Sequence, residues 1–355
     1  LSGEVIVPSF TFVATAHCLQ WLGVTPVFCD VVPGNGGQPG RGRGATPEDP
    51  GSGIRDPGGG GRGPAPHTLD PRQVERLITP RTTGILGVHL WGQACDVEAL
   101  ERIAAAHGLR LLFDAAHAFG CSHHGRMIGG GGEAEVFSFH ATKFFNTFEG
   151  GAVTTNDEGL AVRLRLMHNF GFAGLDTVVS AGTNAKMSEV SAAMGLTGLE
   201  DLDEFVAVNE RNYRAYRDGL AVMPGVEMLL YDEAERQNYQ YVVVEVDDAQ
   251  AGLGRDDLLA VLHAERVRAR RYFFPGCHRM EPYRSLFPDA GRHLPVTERL
   301  AEQVLTLPTG TAVSTEQVGY ICDLIRFAVD HGPEIRARLP HSLGGAESSL
   351  PLGPP

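Results

Sequence analysis

The run Leu111-Leu112-Phe113-Asp114-Ala115-Ala116-His117 ends an apolar stretch on a carboxylate, and two small residues leave space beside it. A second run, Val136-Phe137-Ser138-Phe139-His140-Ala141-Thr142-Lys143, carries a strand-like stretch into a turn that holds a lysine, and Phe144 and Phe145 follow. Each residue has an ordinary use. Asp114 would cap the next helix, and a lysine after a strand is normally a solvated surface residue. Lys143, however, sits among aromatics, where desolvation lowers an ammonium's pKa and frees the amine as a nucleophile. The chain has only two lysines, Lys143 and Lys186, and otherwise uses arginine, so a surface-filling lysine would be out of character.

An aspartate and a lysine at neighbouring strand ends have a joint use. Pyridoxal phosphate needs a lysine to hold its aldehyde as a Schiff base and a carboxylate to keep its pyridine nitrogen protonated. Its phosphate needs hydroxyls and backbone N–H groups, and Ser138 stands shortly before the lysine.

Short apolar runs alternating with longer amphipathic ones must position these groups. Strands are predicted over 4–7, 26–29, 84–89, 109–114, 136–139 and 151–154, and helices over 11–22, 70–77 and 96–107. Asp70 makes a good N-cap there, with Pro71 in the first turn. This rhythm predicts an α/β fold with a mostly parallel sheet covered by helices, whose ligands bind at the carboxyl ends of the strands. After about residue 186 the pattern changes to helices over 188–199 and 202–220, a β-branched strand over 239–246, and helices over 256–263, 295–304 and 314–329. That predicts a smaller C-terminal α+β domain. The expected division is 1–205 and 206–335, with 336–355 a disordered tail.

The 355 residues carry a net charge of −13, with 43% apolar and 21% charged. This is a globular composition. The acidic balance argues against nucleic acid as a partner, and no apolar run is long enough to span a membrane. The six cysteines are scattered without a C-x-x-C pair, so no metal centre is expected and a reducing cytoplasm is the natural setting. Nineteen of the 33 residues over 34–66 are Gly or Pro, which predicts a flexible insertion. The chain begins at Leu1 and enters a strand-like run almost at once, so upstream sequence is expected.

Taken together, the pattern resembles the sugar aminotransferases of the DegT/DnrJ/EryC1/StrS family, which are fold type I (aspartate-aminotransferase-like) pyridoxal-phosphate enzymes. The likeness runs from Glu4 to about Val329, interrupted by the insertion. It rests on Glu4-Val5-Ile6-Val7-Pro8-Ser9-Phe10-Thr11-Phe12-Val13-Ala14-Thr15, Asp114-Ala115-Ala116-His117, Ser138-Phe139 with Lys143, Glu149-Gly150-Gly151-Ala152, Asn184-Ala185-Lys186-Met187-Ser188-Glu189 and Leu305-Thr306-Leu307-Pro308. The resemblance implies that Lys143 bonds the cofactor and moves protons, that Asp114 pairs with the pyridine nitrogen, and that His117, where many relatives have glutamine, lies at the ring edge. It also implies that Phe12 stacks on the ring and Ser138 binds the phosphate. Asn184 would reach the cofactor phosphate of the neighbouring subunit in a homodimer with shared sites. Plain readings stay open for Phe12 as core, His117 as a satisfied histidine and Asn184 as a turn residue. Three departures stand out: the family's Gly-Thr or Gly-Ser phosphate loop would precede Leu1, the insertion replaces a short link, and Lys186 stands where arginine is commoner.

The implied reaction moves an amine from L-glutamate to a nucleotide-linked keto-sugar. His89, Trp91, Asn169, Tyr272 and His278 are the candidate substrate contacts by position in the family pattern. The stretch Phe148-Glu149-Gly150-Gly151 looks like that of members aminating C4, so the expected substrate is a dTDP-4-keto-6-deoxyhexose. The alternatives are a 3-aminotransferase of the same family and a non-catalytic or truncated member. A dehydratase branch would carry histidine at the lysine position, and Lys143 argues against it.

Overall fold

The computed structural model describes residues 2–34 and 64–339. Nearly all of the expected flexible insertion, and the tail beyond 339, lie outside the described residues. In chain order the first half contains β1 (Glu4–Pro8), α1 (Ala14–Trp21), β2 (Thr25–Cys29), α2 (Pro71–Leu77), β3 (Thr82–Val88), α3 (Val97–His107) and β4 (Arg110–Asp114). A small hairpin of β5 (Ser122–His123) and β6 (Arg126–Met127) follows, then β7 (Ala134–Ser138), β8 (Gly151–Thr154) and α4 (Glu158–Met167). The second half adds α5 (Glu189–Glu200), α6 (Leu202–Leu220), β9 (Val226–Met228), β10 (Val242–Val246), α7 (Asp248–Ala251) and α8 (Arg255–Ala264). It closes with α9 (Tyr283–Leu286), α10 (Pro295–Gln303), β11 (Val304–Leu307), α11 (Thr315–Asp330) and α12 (Gly332–Arg338).

The main sheet has the order β2-β1-β3-β4-β7-β8. Every neighbouring pair is parallel except β7 with β8. β1 is buried along its whole length because both of its faces are covered. Its side chains alternate between two cores. Ile6 packs with Ile85, Leu100, Leu111 and Phe113 under α2 and α3. Val5 and Val7 pack with Ala16, Leu19 and Leu86 under α1. The fold is therefore α/β with a mostly parallel sheet, as the alternating pattern predicts.

A three-stranded antiparallel sheet, β11-β10-β9, carries a separate core with α6, α8 and α11, built around Val242, Val244, Leu258, Leu262, Leu305 and Ile325. A further cluster joins Phe10, Val88, Leu90 and Trp91 of the first half to Leu229, Val243, Phe273 and Val304 of the second.

Several expectations are corrected. The helix expected over 11–22 starts only at Ala14, because the chain bends after β1 and Thr11 turns its hydroxyl to Thr15, 3.2 Å away. The helix expected over 295–304 gives up Val304, which opens β11 by pairing with β10. The strand expected over 239–246 starts at Val242, since Tyr239 has φ +50°. Helix α4, which the sequence pattern does not predict, buries no residue fully. The boundary expected between 205 and 206 falls inside α6, which runs unbroken from Leu202 to Leu220. Residues 336–338, expected in a disordered tail, form the end of α12. Cys18 is exposed while the other five cysteines are buried, and none pairs.

Candidate active site

Asp114 ends β4, next to the carboxyl ends of β3 and β7. Its Oδ1 accepts the Ala116 backbone N–H at 3.0 Å, and its Oδ2 accepts the Thr15 hydroxyl at 2.8 Å. Two donors hold the carboxylate in one orientation as an acceptor. No helix follows it, since the chain turns from Ala115 into the β5–β6 hairpin, so helix capping is ruled out.

Lys143 lies in the turn after β7, where its N–H donates to the His140 carbonyl. Its side chain is half-buried, and its Nζ stands 3.5 Å from the Tyr241 hydroxyl. Burial lowers the amine from 10.5 to about 8, and the negative charge of Asp114 works against that fall. The charge of the carboxylate therefore reaches the amine within one site. Ser138, at the end of β7, accepts the His140 N–H at 3.4 Å.

His117 is buried within reach of the Lys143 charge. Its Nδ1 accepts the Trp91 backbone N–H at 3.3 Å, which assigns the ring proton to Nε2. Burial, then the positive charge of Lys143, pushes its pKa well below the ordinary value, so the ring is neutral. The Tyr241 ring lies 4.4 Å away, and Trp91 and Phe273 stack beside it at 5.9 and 6.1 Å. Phe12, by contrast, is 58% exposed and presents a free ring face just before α1.

The surrounding frame is non-local. Trp91, fully buried and at φ +61°, donates its Nε1–H to His67 Nδ1 at 3.1 Å, and His67 Nε2 meets Glu245 Oε1 at 3.1 Å. Asn238 Nδ2 donates to the carbonyls of His117 and Phe119 at 2.8 and 3.0 Å. Gly92 has φ +92°, and a Cβ there would press on the Cys121 sulfur and the His117 carbonyl.

The structure thus gathers Asp114, His117 and Lys143, adds Thr15 and Tyr241, and leaves Phe12 open. The expected substrate contacts divide. Tyr272 is half-buried with its ring 6.3 Å from Tyr241, beside the site. His89 is corrected to a core residue: it is 1% exposed, stacked on Phe113 at 4.7 Å, with Nδ1 accepting the Cys95 N–H and Nε2 beside Glu135. Trp91 is corrected to the wall behind His117, since its burial leaves no face for a substrate. His278 is corrected to a link, because its Nδ1 meets Ser9 Oγ at 2.7 Å and its Nε2 meets Glu298 at 2.6 Å. Asn169 accepts Lys186 Nζ at 2.9 Å and is bridged to Asn184. That pair lies in the loop between α4 and α5. Thr15 was missed as a site residue, although it closes the run 4–15 on which the resemblance rests and stands three residues after Phe12. Tyr241 gave no local signal, being 98 residues from the lysine it meets.

Residues 2–36 and 63–326 match the model of the DegT/DnrJ/EryC1/StrS aminotransferase family. A dTDP-4-amino-4,6-dideoxy-D-glucose transaminase of Shigella dysenteriae is 33% identical over 334 residues, covering 92% of this chain and 80% of the relative. A dTDP-3-amino-3,4,6-trideoxy-alpha-D-glucose transaminase of Streptomyces venezuelae is 32% identical over 328 residues, covering 91% and 76%. Among solved structures, DesI in the presence of its TDP-sugar product superposes with a TM-score of 0.80 at 48% identity, covering 95% of this chain and 78% of that one. With its site of carboxylate, neutral imidazole and depressed amine at the sheet's carboxyl edge, the chain belongs to the DegT/DnrJ/EryC1/StrS aminotransferase family.

Proposed function

We propose that the chain binds pyridoxal 5′-phosphate at Lys143 and transfers the amine of L-glutamate to C4 of a dTDP-linked 4-keto-6-deoxyhexose, in amino-sugar biosynthesis. The observation that carries this reading is the half-buried Lys143 amine, lowered to about 8, in the field of the Asp114 carboxylate. The residues present fit the group. The amine is close enough to neutrality to attack an aldehyde, and the oriented carboxylate retains lone pairs for a ring N–H. Phe12 offers an open aromatic face, and Ser138 a hydroxyl at a strand end.

The cofactor supplies an electron sink for the substrate carbanion when bound. This chain's residues do the rest. Lys143, with a pKa near the working pH, both takes and returns a proton at the substrate carbon. His117 stays neutral and offers Nε2–H as a donor. Burial pushes the Tyr241 phenol well up, so it remains protonated and offers a hydroxyl to the amine. Tyr272 and the loop bearing Asn169 and Asn184 are the substrate and phosphate contacts in this reading.

The nucleotide-sugar class is supported by the names of the relatives. Those relatives include both 4-amino and 3-amino sugar transaminases at similar identity, so the C4 assignment rests on Phe148-Glu149-Gly150-Gly151. The second copy in a homodimer is supported by apolar side chains standing in solvent on α5 and the loop before it, with Leu175 97%, Val190 71% and Leu196 67% exposed. A reducing cytoplasm fits six unpaired cysteines. No helix among the described residues is long and apolar enough to cross a membrane.

The test is direct. Protein loaded with pyridoxal phosphate and treated with borohydride should carry the label on Lys143, and in a separate unreduced sample glutamate should convert the bound cofactor to the amine form that aminates a 4-keto sugar nucleotide. Labelling elsewhere would overturn the cofactor site, and turnover of 3-keto sugar nucleotides alone would overturn the C4 assignment.

A further inference from the structure

We propose that Glu98, His123 and His124 form a surface site for a divalent transition-metal ion of the zinc class, separate from the Lys143 site. The three residues come from two elements. Glu98 is in the first turn of α3, and the histidines occupy the tip of the β5–β6 hairpin. Their ligand atoms all lie within 4.8 Å of one another. His123 Nε2 is 3.1 Å from Glu98 Oε2, and His124 Nδ1 is 2.9 Å from Glu98 Oε1. An ion held at ~2.0–2.2 Å by nitrogen and oxygen ligands sets those atoms ~2.9 Å apart in octahedral geometry and ~3.4 Å apart in tetrahedral geometry. The two histidine–carboxylate spacings are of that size before any movement, and the ligand nitrogens of the two imidazoles lie within 4.8 Å of each other.

The hairpin is built to aim these rings. Its two turn residues, His124 and Gly125, have φ +49° and +72°. A turn with both central residues left-handed ordinarily takes Asn-Gly or Asp-Gly. Histidine in the first place is uncommon, and here its ring turns back to stack on His123 at 4.1 Å. Glu235 clamps the hairpin from the far side, with its Oε2 accepting the Ser122 hydroxyl at 2.5 Å and the Gly125 N–H at 3.2 Å. The ligand backbone is therefore fixed in advance.

Two imidazoles and one carboxylate suit zinc, nickel and copper better than magnesium or calcium, which prefer oxygen throughout. With three protein ligands, and with Glu98 and His124 45% and 65% exposed, the ion would keep water at its open positions. It would tie the hairpin that follows Asp114 and His117 to the helix that follows Trp91. An ion bound only by the folded chain stabilises it by mass action.

The rival account is a plain ion pair between protonated histidines and Glu98. Chelator-stripped, tag-free holoenzyme, dialysed free of unbound cofactor, is titrated with Zn2+ beside Glu98→Gln and His124→Asn. Asparagine suits the left-handed turn position, so His124→Asn removes a ligand while keeping the hairpin. The site predicts one equivalent of zinc lost from each variant, with an affinity drop of at least about tenfold, and a zinc-induced rise in Tm seen in wild type only. Co2+ should give d–d absorbance in wild type that both variants lose. Equal zinc affinity in wild type and both variants, or no uptake by wild type at millimolar Zn2+, overturns the proposal in favour of the ion pair.

Discussion

Lys143 is held where its charge is costly. Water is excluded from much of the ammonium, and the Asp114 carboxylate only partly makes up for the loss. Between about pH 8 and the ordinary lysine value of 10.5, the unfolded chain keeps a proton that the folded chain has released, so this group adds stability as pH rises through that window. Below about pH 8 the folded state bears the full penalty. Cofactor-free Lys143→Met is therefore expected to be more stable than wild type at pH 7, by on the order of 3 kcal/mol, with the advantage fading by pH 10.5. Urea unfolding at the two pH values checks this, since other titrating groups cancel in the difference. The same variant should lose transamination entirely. Asp114→Asn removes the charge that supports the ammonium, so the Lys143 amine should titrate below 8. Turnover should fall about 100-fold or more, because the cofactor ring loses its proton-holding partner. A pH–rate series on this variant reads both effects.

At the scale of elements, the site depends on short segments pinned by distant groups. The turn carrying His117 has no regular structure of its own, and Asn238 supplies the donors for two of its carbonyls. Asn238→Ala leaves both without a partner in a buried place, which should cost about 2–4 kcal/mol in denaturant unfolding. The same change should weaken activity with the Lys143 label still forming, since the lysine sits on a different turn. One helix cap was legible: Asp70 accepts the Arg72 N–H with Pro71 in the first turn, as the sequence pattern predicts. Asp96, which the pattern places inside the helix, instead caps α3 by accepting the Ala99 N–H. Asp96→Ala should cost about 1 kcal/mol in thermal or urea unfolding, with no change in substrate preference. Edges of elements were less legible wherever a tertiary partner set them. Val304 continues the apolar stripe of α10 in sequence but pairs with β10 in space.

For the whole molecule, the question is what covers the apolar surface of α5 and its preceding loop. Val190 and Leu196 stand 71% and 67% exposed on a helix with one buried residue, and the second copy proposed above would cover them. Leu196→Glu is expected to leave the fold intact, because the side chain already faces solvent within one chain. In analytical ultracentrifugation it should shift a dimer toward monomer, and activity should fall in parallel if Asn184 serves the partner's site. A variant that stays dimeric and fully active would point to a different surface. The two sheets, each with its own core, are joined by α6 and by the Phe10–Trp91–Phe273 cluster. We therefore read the division into two units as lying along α6 rather than at a linker.

The sequence by itself determined the parallel α/β class, the Asp114 and Lys143 pair, and the family. Those depend on period, on strand-end position and on residue types that a particular chemistry requires, all of which are local properties of the chain. The tertiary structure alone decided which polar residues are free to react. His89, Trp91 and His278 stand at positions that look functional in one dimension. Trp91 and His278 are instead bonded to partners far along the chain, His67 and Ser9, and His89 is enclosed against Phe113 and Glu135. Tyr241 enters the site, and the two histidines of a hairpin meet a glutamate on α3, for the same reason. Burial and contact between remote segments are set by how sheets and helices pack, and no local spacing records them.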